Sequence, residues 1–156
     1  MTRLRAVLPF GLGLLVLVAV SDATAATHPV DDSASLPEQP NITMRARPAV
    51  LGQQAGSTAS GESTVRVVLN TTPWVHRVGR IYMVLPAQPV GPVTVSWSTE
   101  GRLLPGALVS GQRALVYAGL ITTSRLIDTM TLTIQADARR LGAPRRLDFQ
   151  FQIDVE

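Results

Sequence analysis

The residue types that most often carry catalysis are scarce in this sequence. Its 156 residues include two histidines and no cysteine. His28 lies near Asp31 and Asp32, but this grouping would bind a metal only weakly because it supplies no closed set of zinc ligands. His76 could act with Asp128 in a hydrolase arrangement, yet no G-x-S-x-G elbow or equivalent nucleophile motif accompanies it. We therefore predict a protein that is not an enzyme and that has no cofactor or metal site.

Arginines crowd the stretch ARRLGAPRR, and they are the best candidates for binding a small ligand. The cluster consists of Arg139, Arg140, Arg145 and Arg146. Planar guanidinium groups bind phosphate or acidic sugars through paired hydrogen bonds. Charged residues at a hairpin tip also raise solubility and keep strand edges from pairing with other molecules. The pattern leaves both interpretations open, and the first makes an anion-binding module the alternative function.

Two tryptophans could provide a platform on which a sugar stacks. Trp97 alternates with Val93 and Val95, which indicates a side chain in the core. Trp74 follows Pro73 in a predicted turn and is the better candidate for exposure.

The first 26 residues have the three-part pattern of a secretory signal peptide. Arg3 and Arg5 precede an apolar run over residues 7–20, and residues 23–25 (ATA) match a small-residue cleavage motif. Cleavage is expected after residue 25 or 26. The run is shorter than the ~20 residues that span a bilayer, so membrane contact is expected only through an uncleaved signal peptide. We therefore predict export to the periplasm, the cell surface or the extracellular space.

The charge of the exported chain gives no reason to expect nucleic acid as a partner. Removing residues 1–26 lowers the formal net charge from +3 to +2, which is too weak for a nucleic-acid-binding surface. Every basic residue is arginine, and alanine, glycine and proline are abundant. This composition is typical of GC-rich coding and favours a bacterial source.

Alternating strands predict an all-β domain over residues 62–156. Apolar and polar residues alternate in 92–98, in 130–137 and without interruption in 147–155, and turn residues separate these runs. No amphipathic helix is evident. The pattern predicts an antiparallel β-sandwich, immunoglobulin-like in general architecture.

The residues before this domain, 27–61, are predicted to be a flexible leader with one candidate strand. Residues 27–40 are polar and rich in proline, and residues 51–64 are small, which is typical of a linker. Between them, residues 41–50 (NITMRARPAV) alternate with period two. Such an isolated strand either folds back on its own domain or adds to the sheet of another molecule. Its apolar side chains would be Ile42, Met44, Ala46 and Val50.

The candidate strand resembles the N-terminal donor segment of alpha-class chaperone–usher fimbrial subunits, the colonization-factor type. The matching residues are Asn41, Ile42, Thr43, Met44 and Ala46, and residues 93–104 (VTVSWSTEGRLL) are similar to a strand of those pilins. The resemblance implies a small exported β-sandwich without cysteine, whose segment completes the sandwich of the next subunit. It implies as partners other β-sandwich subunits or a periplasmic chaperone.

In such a subunit the C-terminal strand borders the groove that receives the donor strand. The acceptor residues would then be Leu147, Phe149, Phe151 and Ile153. In a self-contained sandwich the same strand would lie inside the sheet, with its apolar face against the opposite layer. The leading prediction is a non-enzymatic subunit of a cell-surface or periplasmic assembly, with a fimbrial subunit as its sharpest form.

Overall fold

The computed structural model describes residues 26–39, 41–46, 58–140 and 146–156. In these ranges the chain is nearly all β, with two antiparallel sheets that pack face to face. The predicted all-β sandwich is therefore confirmed, while its likeness to immunoglobulin domains stays a prediction. Residues 1–25 of the predicted signal peptide lie outside the described residues. Within the described ranges, no helix has the length and apolar character needed to cross a membrane.

Ten strands are present in the described ranges. They are β1 (Ala26–Val30), β2 (Leu36–Pro37), β3 (Arg45–Ala46), β4 (Thr58–Asn70), β5 (Val78–Val84), β6 (Val93–Thr99), β7 (Gly106–Val109), β8 (Arg113–Leu120), β9 (Arg125–Asp137) and β10 (Gln150–Val155). Short 3₁₀ turns cover Thr72–Trp74 and Ala138–Arg140. Sheet A has the order β1-β10-β5-β8. In sheet B, β2 and β3 both pair with β4, which is followed by β9, β6 and β7.

The most regular sequence patterns form the centres of the two sheets. In β9, alternate residues face the core, among them Met130, Leu132 and Ile134, and β9 lies between β4 and β6. In β10, Phe151 and Ile153 face the core, and β10 lies between β1 and β5. A central strand of an antiparallel sheet with one wet face shows this alternation most clearly, since both of its edges are paired. The C-terminal strand is therefore a central strand of the protein's own sheet A.

The edge strand β8 contains an irregularity opposite Ile81 and Tyr82. Ile81 pairs with Tyr117 and Tyr82 pairs with Leu115, which leaves Val116 as an extra residue on β8. Such a β-bulge turns consecutive side chains to the same face. Val116 and Tyr117 are accordingly both buried.

The structure differs from the prediction of a flexible leader. β1 pairs along its full length with β10, and β2 pairs with β4. No apolar pattern marks β1, because Val30 is its only buried residue. The Thr27 hydroxyl supports the main-chain ladder by donating a hydrogen bond of 2.6 Å to Asp154. The sandwich also begins earlier than residue 62, since β4 starts at Thr58.

Candidate functional site

The N-terminal segment, residues 26–46, contacts both sheets of the sandwich. β1 is the edge strand of sheet A, and the chain then crosses to sheet B, where the Asn70 N–H donates to the Asp31 carbonyl at 2.9 Å. The Ser35 hydroxyl accepts a hydrogen bond from the Val68 N–H at 2.8 Å and donates to the Val68 carbonyl at 3.3 Å. This hydroxyl therefore takes the place of a main-chain partner where the segment begins its contact with sheet B.

Residues 36–37 and 45–46 then pair antiparallel with β4 at the edge of sheet B. The paired residues are Leu36 with Arg66, Pro37 with Val65, Arg45 with Ser60 and Ala46 with Ala59. Between the second and third of these pairs the segment advances eight residues while β4 advances five. Among the described residues, main-chain pairing therefore holds this segment near its two ends, with a shift in register between them.

Two apolar side chains fill the interval between these ends. Ile42 and Met44 are half-buried and pack against the core, whereas Asn41 and Thr43 are exposed. The side chains of Ile42 and Met44 lie directly over Gly61 of β4. A Cβ atom added to Gly61 would lie 2.7 Å from the Ile42 Cγ2, 2.9 Å from the Met44 Sδ and 3.2 Å from the Thr43 carbonyl oxygen.

The floor under these side chains is made of small residues. Ala59 and Ser63 of β4 are buried on the same face as Gly61, and Ala59 is fully buried. We call the surface formed by Ala59, Gly61 and Ser63 the Gly61 socket. The sequence pattern of alternating small residues suggested a linker, but here the missing side-chain volume is what allows another strand's side chains to approach β4.

The structure thus places two of the four predicted donor residues in the socket. Ile42 and Met44 occupy it, Ala46 is exposed in the short ladder with β4, and Val50 lies outside the described residues. In this single chain the segment contacts its own domain.

The predicted acceptor residues contribute to the core of the same chain. Phe151 and Ile153 are buried, and Leu147 and Phe149 are half-buried against the core. Both edges of β10 are paired, one with β1 and the other with β5. A strand from another molecule could reach β10 only by replacing β1.

The arginine cluster is divided between two carboxylates. The Nε atoms of Arg139 and Arg140 lie 3.6 and 3.8 Å from Asp137, and Arg140 also donates to the Val90 carbonyl at 3.2 Å. The Nε of Arg146 lies 2.9 Å from Asp148, and Arg145 lies outside the described residues. These are exposed surface pairs of small strength, so the anion-binding alternative stays a prediction.

Asp128 serves the fold and is not paired with His76. Its carboxylate is buried and accepts hydrogen bonds from the N–H groups of Gly101 at 2.8 Å, Leu103 at 2.7 Å and Thr129 at 2.7 Å. His76 is exposed in the 71–77 loop, with a positive φ of 67°. The hydrolase arrangement considered from the sequence is therefore not assembled.

Of the remaining aromatic and titratable candidates, Trp74 lies near His28 at the start of the N-terminal segment, and Trp97 lies in β6. Trp97 is buried, as predicted, whereas Trp74 is half-buried with its ring centroid 6.2 Å from that of His28. Hydrogen bonds from the side chain and the N–H of Ser33 lower the pKa of Asp31, while burial, and beyond it the charge of Asp31, raise the pKa of Asp32. In the described part of the chain, no three His, Cys, Asp or Glu side chains are grouped closely enough to hold a metal ion.

Comparison with known proteins adds no relative to this description. No protein-family model, no curated protein and no solved structure matches the chain.

Proposed function

We propose that this protein is an exported, non-enzymatic β-sandwich that forms part of a cell-surface or periplasmic assembly through β-strand addition. The observation that carries the proposal is the Gly61 socket, which receives the apolar side chains of an extended segment. β-Strand addition uses this combination, in which main-chain pairing supplies affinity and pockets for alternate side chains supply specificity.

The strength of the contact is compatible with exchange between molecules. Ile42 and Met44 are half-buried, and a fully buried side chain of this size stabilises by roughly 1.5–3 kcal/mol, so the two together contribute about 1.5–3 kcal/mol. The short ladders of β2 and β3 with β4 add main-chain hydrogen bonds to this. A segment held this weakly by its own domain can occupy the socket of a second copy with the same contacts, as in domain swapping.

The location and the partners follow from the same reading of the chain. The pattern of residues 1–26 supports export, and the segment supports other β-sandwich subunits, or a periplasmic chaperone, as the partners that compete for the socket. A fimbrial subunit is the sharpest form of this proposal.

The test separates the segment from its socket without shortening the chain. In the variant Ile42→Asp/Met44→Asp, charged side chains cannot enter the socket, so the socket should become free while β1 stays paired with β10. A synthetic peptide of residues 39–50 should then bind this variant and raise its melting temperature. A peptide with serine in place of Ile42 and Met44 is the matched control and should have no effect.

A second substitution identifies the socket as the binding site. Adding Gly61→Leu to the double variant should abolish binding of the wild-type peptide, because the leucine side chain fills the space above β4. If the peptide binds neither protein, or binds both equally well, strand addition at this site is excluded. Light scattering on the wild-type chain then reports whether exchange between copies produces polymers.

A further inference from the structure

Met44 differs from the other methionines of the described ranges in its access to solvent. Those ranges contain three methionines, at positions 44, 83 and 130. Met83 and Met130 lie in the core with 2% and 0% of their surface exposed, whereas Met44 is only half-buried against it. A dissolved oxidant therefore reaches the Met44 thioether in the folded protein, but it reaches the other two only when β5 or β9 opens.

The thioether of Met44 can react with a peroxide. The sequence contains no cysteine, so no thiol of this chain competes for the oxidant, and exported proteins meet oxidising surroundings. Hydrogen peroxide transfers one oxygen atom to the sulfur: the O–O bond breaks, the S–O bond forms, the sulfur is oxidised and the peroxide is reduced to water. The product, methionine sulfoxide, is polar where the thioether was apolar.

The Met44 sulfur lies in close contact with groups that cannot donate a hydrogen bond. A Cβ atom on Gly61 would be 2.9 Å from the Sδ, so the sulfur rests on the bare main chain of β4. The Ile42 Cγ2 and the Thr43 carbonyl oxygen lie 2.7 and 3.2 Å from the same position. The first of these is a methyl group and the second is an acceptor. The Ser63 hydroxyl of the socket belongs to a residue two positions along β4, about 7 Å away.

A sulfoxide at Met44 would therefore be unfavourable in the Gly61 socket. Its oxygen needs a hydrogen-bond donor, and a polar atom that loses water without gaining a partner costs free energy. The oxygen regains water when the side chain leaves the socket. Little else opposes this departure, because residues 41–46 are held by the half-buried Ile42 and by the two-residue ladder of β3 with β4.

We propose that Met44 is a modification site, at which oxidation to the sulfoxide releases residues 41–46 from the Gly61 socket. β1 is not affected, because it pairs with β10 in the other sheet. The inference deepens the proposed function and rests on it for its significance: a peroxide frees the socket of one copy for the segment of another and so promotes strand addition.

The modification is reversible by known chemistry. Methionine sulfoxide reductases return the sulfoxide to the thioether; the oxygen leaves as water while two thiols are oxidised to a disulfide. This chain contains no thiol, so the reductant comes from outside the molecule.

Peroxide treatment of the purified protein, followed by peptide mass spectrometry and hydrogen exchange, tests this proposal. Met44 should be oxidised at least ~10-fold faster than Met83 or Met130. Amide exchange at Arg45 and Ala46 should then become at least ~10-fold faster, and treatment with methionine sulfoxide reductases and dithiothreitol should restore the starting rate. Met44→Leu is the matched control, because it keeps an apolar side chain of similar volume without the sulfur, and its exchange should not respond to peroxide.

The other outcomes are equally decisive. Oxidation of Met44 no faster than that of the core methionines would overturn the proposal, and so would unchanged exchange after Met44 has been oxidised. A peroxide effect that persists in Met44→Leu would assign the change to another side chain and overturn it as well. Met44→Gln, which places an uncharged polar side chain in the socket, should exchange rapidly without peroxide.

Failure of this inference can be told apart from failure of the proposed function. Exchange at β3 is measured on single molecules and needs no partner. If the peptide of residues 39–50 does not bind Ile42→Asp/Met44→Asp, strand addition alone is overturned, whereas unchanged exchange in the oxidised protein overturns the release alone.

Discussion

Removing the buried carboxylate of Asp128 should destabilise the domain more than any other single loss of charge in the described chain. The side chain is 5% exposed and holds the loop between β6 and β7 against β9 through three main-chain N–H groups. In Asp128→Ala these donors lose their acceptor. Leu103 is buried, so its N–H cannot turn to water, whereas Gly101 is exposed and its N–H can be hydrated.

The expected loss follows from these contacts. A buried donor left without a partner costs about 1–3 kcal/mol, and hydrogen bonds to a charged group are worth about 1.5–3 kcal/mol each. One full penalty at Leu103 and partial losses at Gly101 and Thr129, less the removed cost of burying the carboxylate, give about 2–4 kcal/mol. For a domain of this size that loss lowers the melting temperature by roughly 8–16 °C.

Urea denaturation followed by tryptophan fluorescence measures this loss. Trp97 reports on the same region, because its Nε1 donates to the Leu104 carbonyl at 2.9 Å. Asp148→Ala is the control, since the Asp148 carboxylate is 65% exposed and pairs with an arginine that is 90% exposed, an interaction worth about 1 kcal/mol or less. If the two alanine variants unfold at the same urea concentration, the reasoning about the Asp128 clamp is wrong.

Three further predictions follow from the packing and the charges. Gly61→Ala should displace Ile42 and Met44, cost roughly 1–3 kcal/mol and speed amide exchange at Ala46, measured by hydrogen exchange; unchanged exchange would show that the socket has room for a methyl group. Burial raises the pKa of Asp32, so the folded state binds this proton more tightly than the unfolded state and the charged carboxylate opposes folding. Asp32→Asn should therefore raise the melting temperature at pH 7, and the gain should vanish as pH falls below the ordinary aspartate pKa of 3.8. A gain that is independent of pH would exclude this cause. Phe151→Ala should cost about 3–5 kcal/mol and the same change at the half-buried Phe149 at most half as much; equal losses in chemical denaturation would contradict the burial pattern.

The central strands could be predicted from sequence because their side chains alternate between core and solvent. Residues 130–136 and 149–155 show this alternation in the structure as in the sequence. Backbone geometry sets the two-residue period of side chains in a strand, so this period does not depend on what the strand packs against. The burial of Trp97 followed from the same argument applied to β6.

The edge strands and the candidate site were harder to predict. Main-chain hydrogen bonds determine the edge strands, and the small size of the β4 side chains determines the candidate site. β1 buries one side chain, so no apolar pattern marks it. The bulge at Val116 breaks the alternation in β8, and nothing in the local residue types announces it. The Gly61 socket depends on atoms that glycine lacks, and composition alone made Ala59, Gly61 and Ser63 resemble a linker.

The central place of β10 in sheet A has a consequence for the timing of folding during synthesis. β1 and β5 never pair with each other, and both wait for β10 to come between them. Thr27 and its partner Asp154 are 127 residues apart, so at 5–20 residues per second the N-terminal strand stays unpaired for roughly 6–25 s after it is made. Sheet B and the β5–β8 pair contain no residue beyond Asp137, so they can form earlier, and sheet A is completed only when β10 has been made.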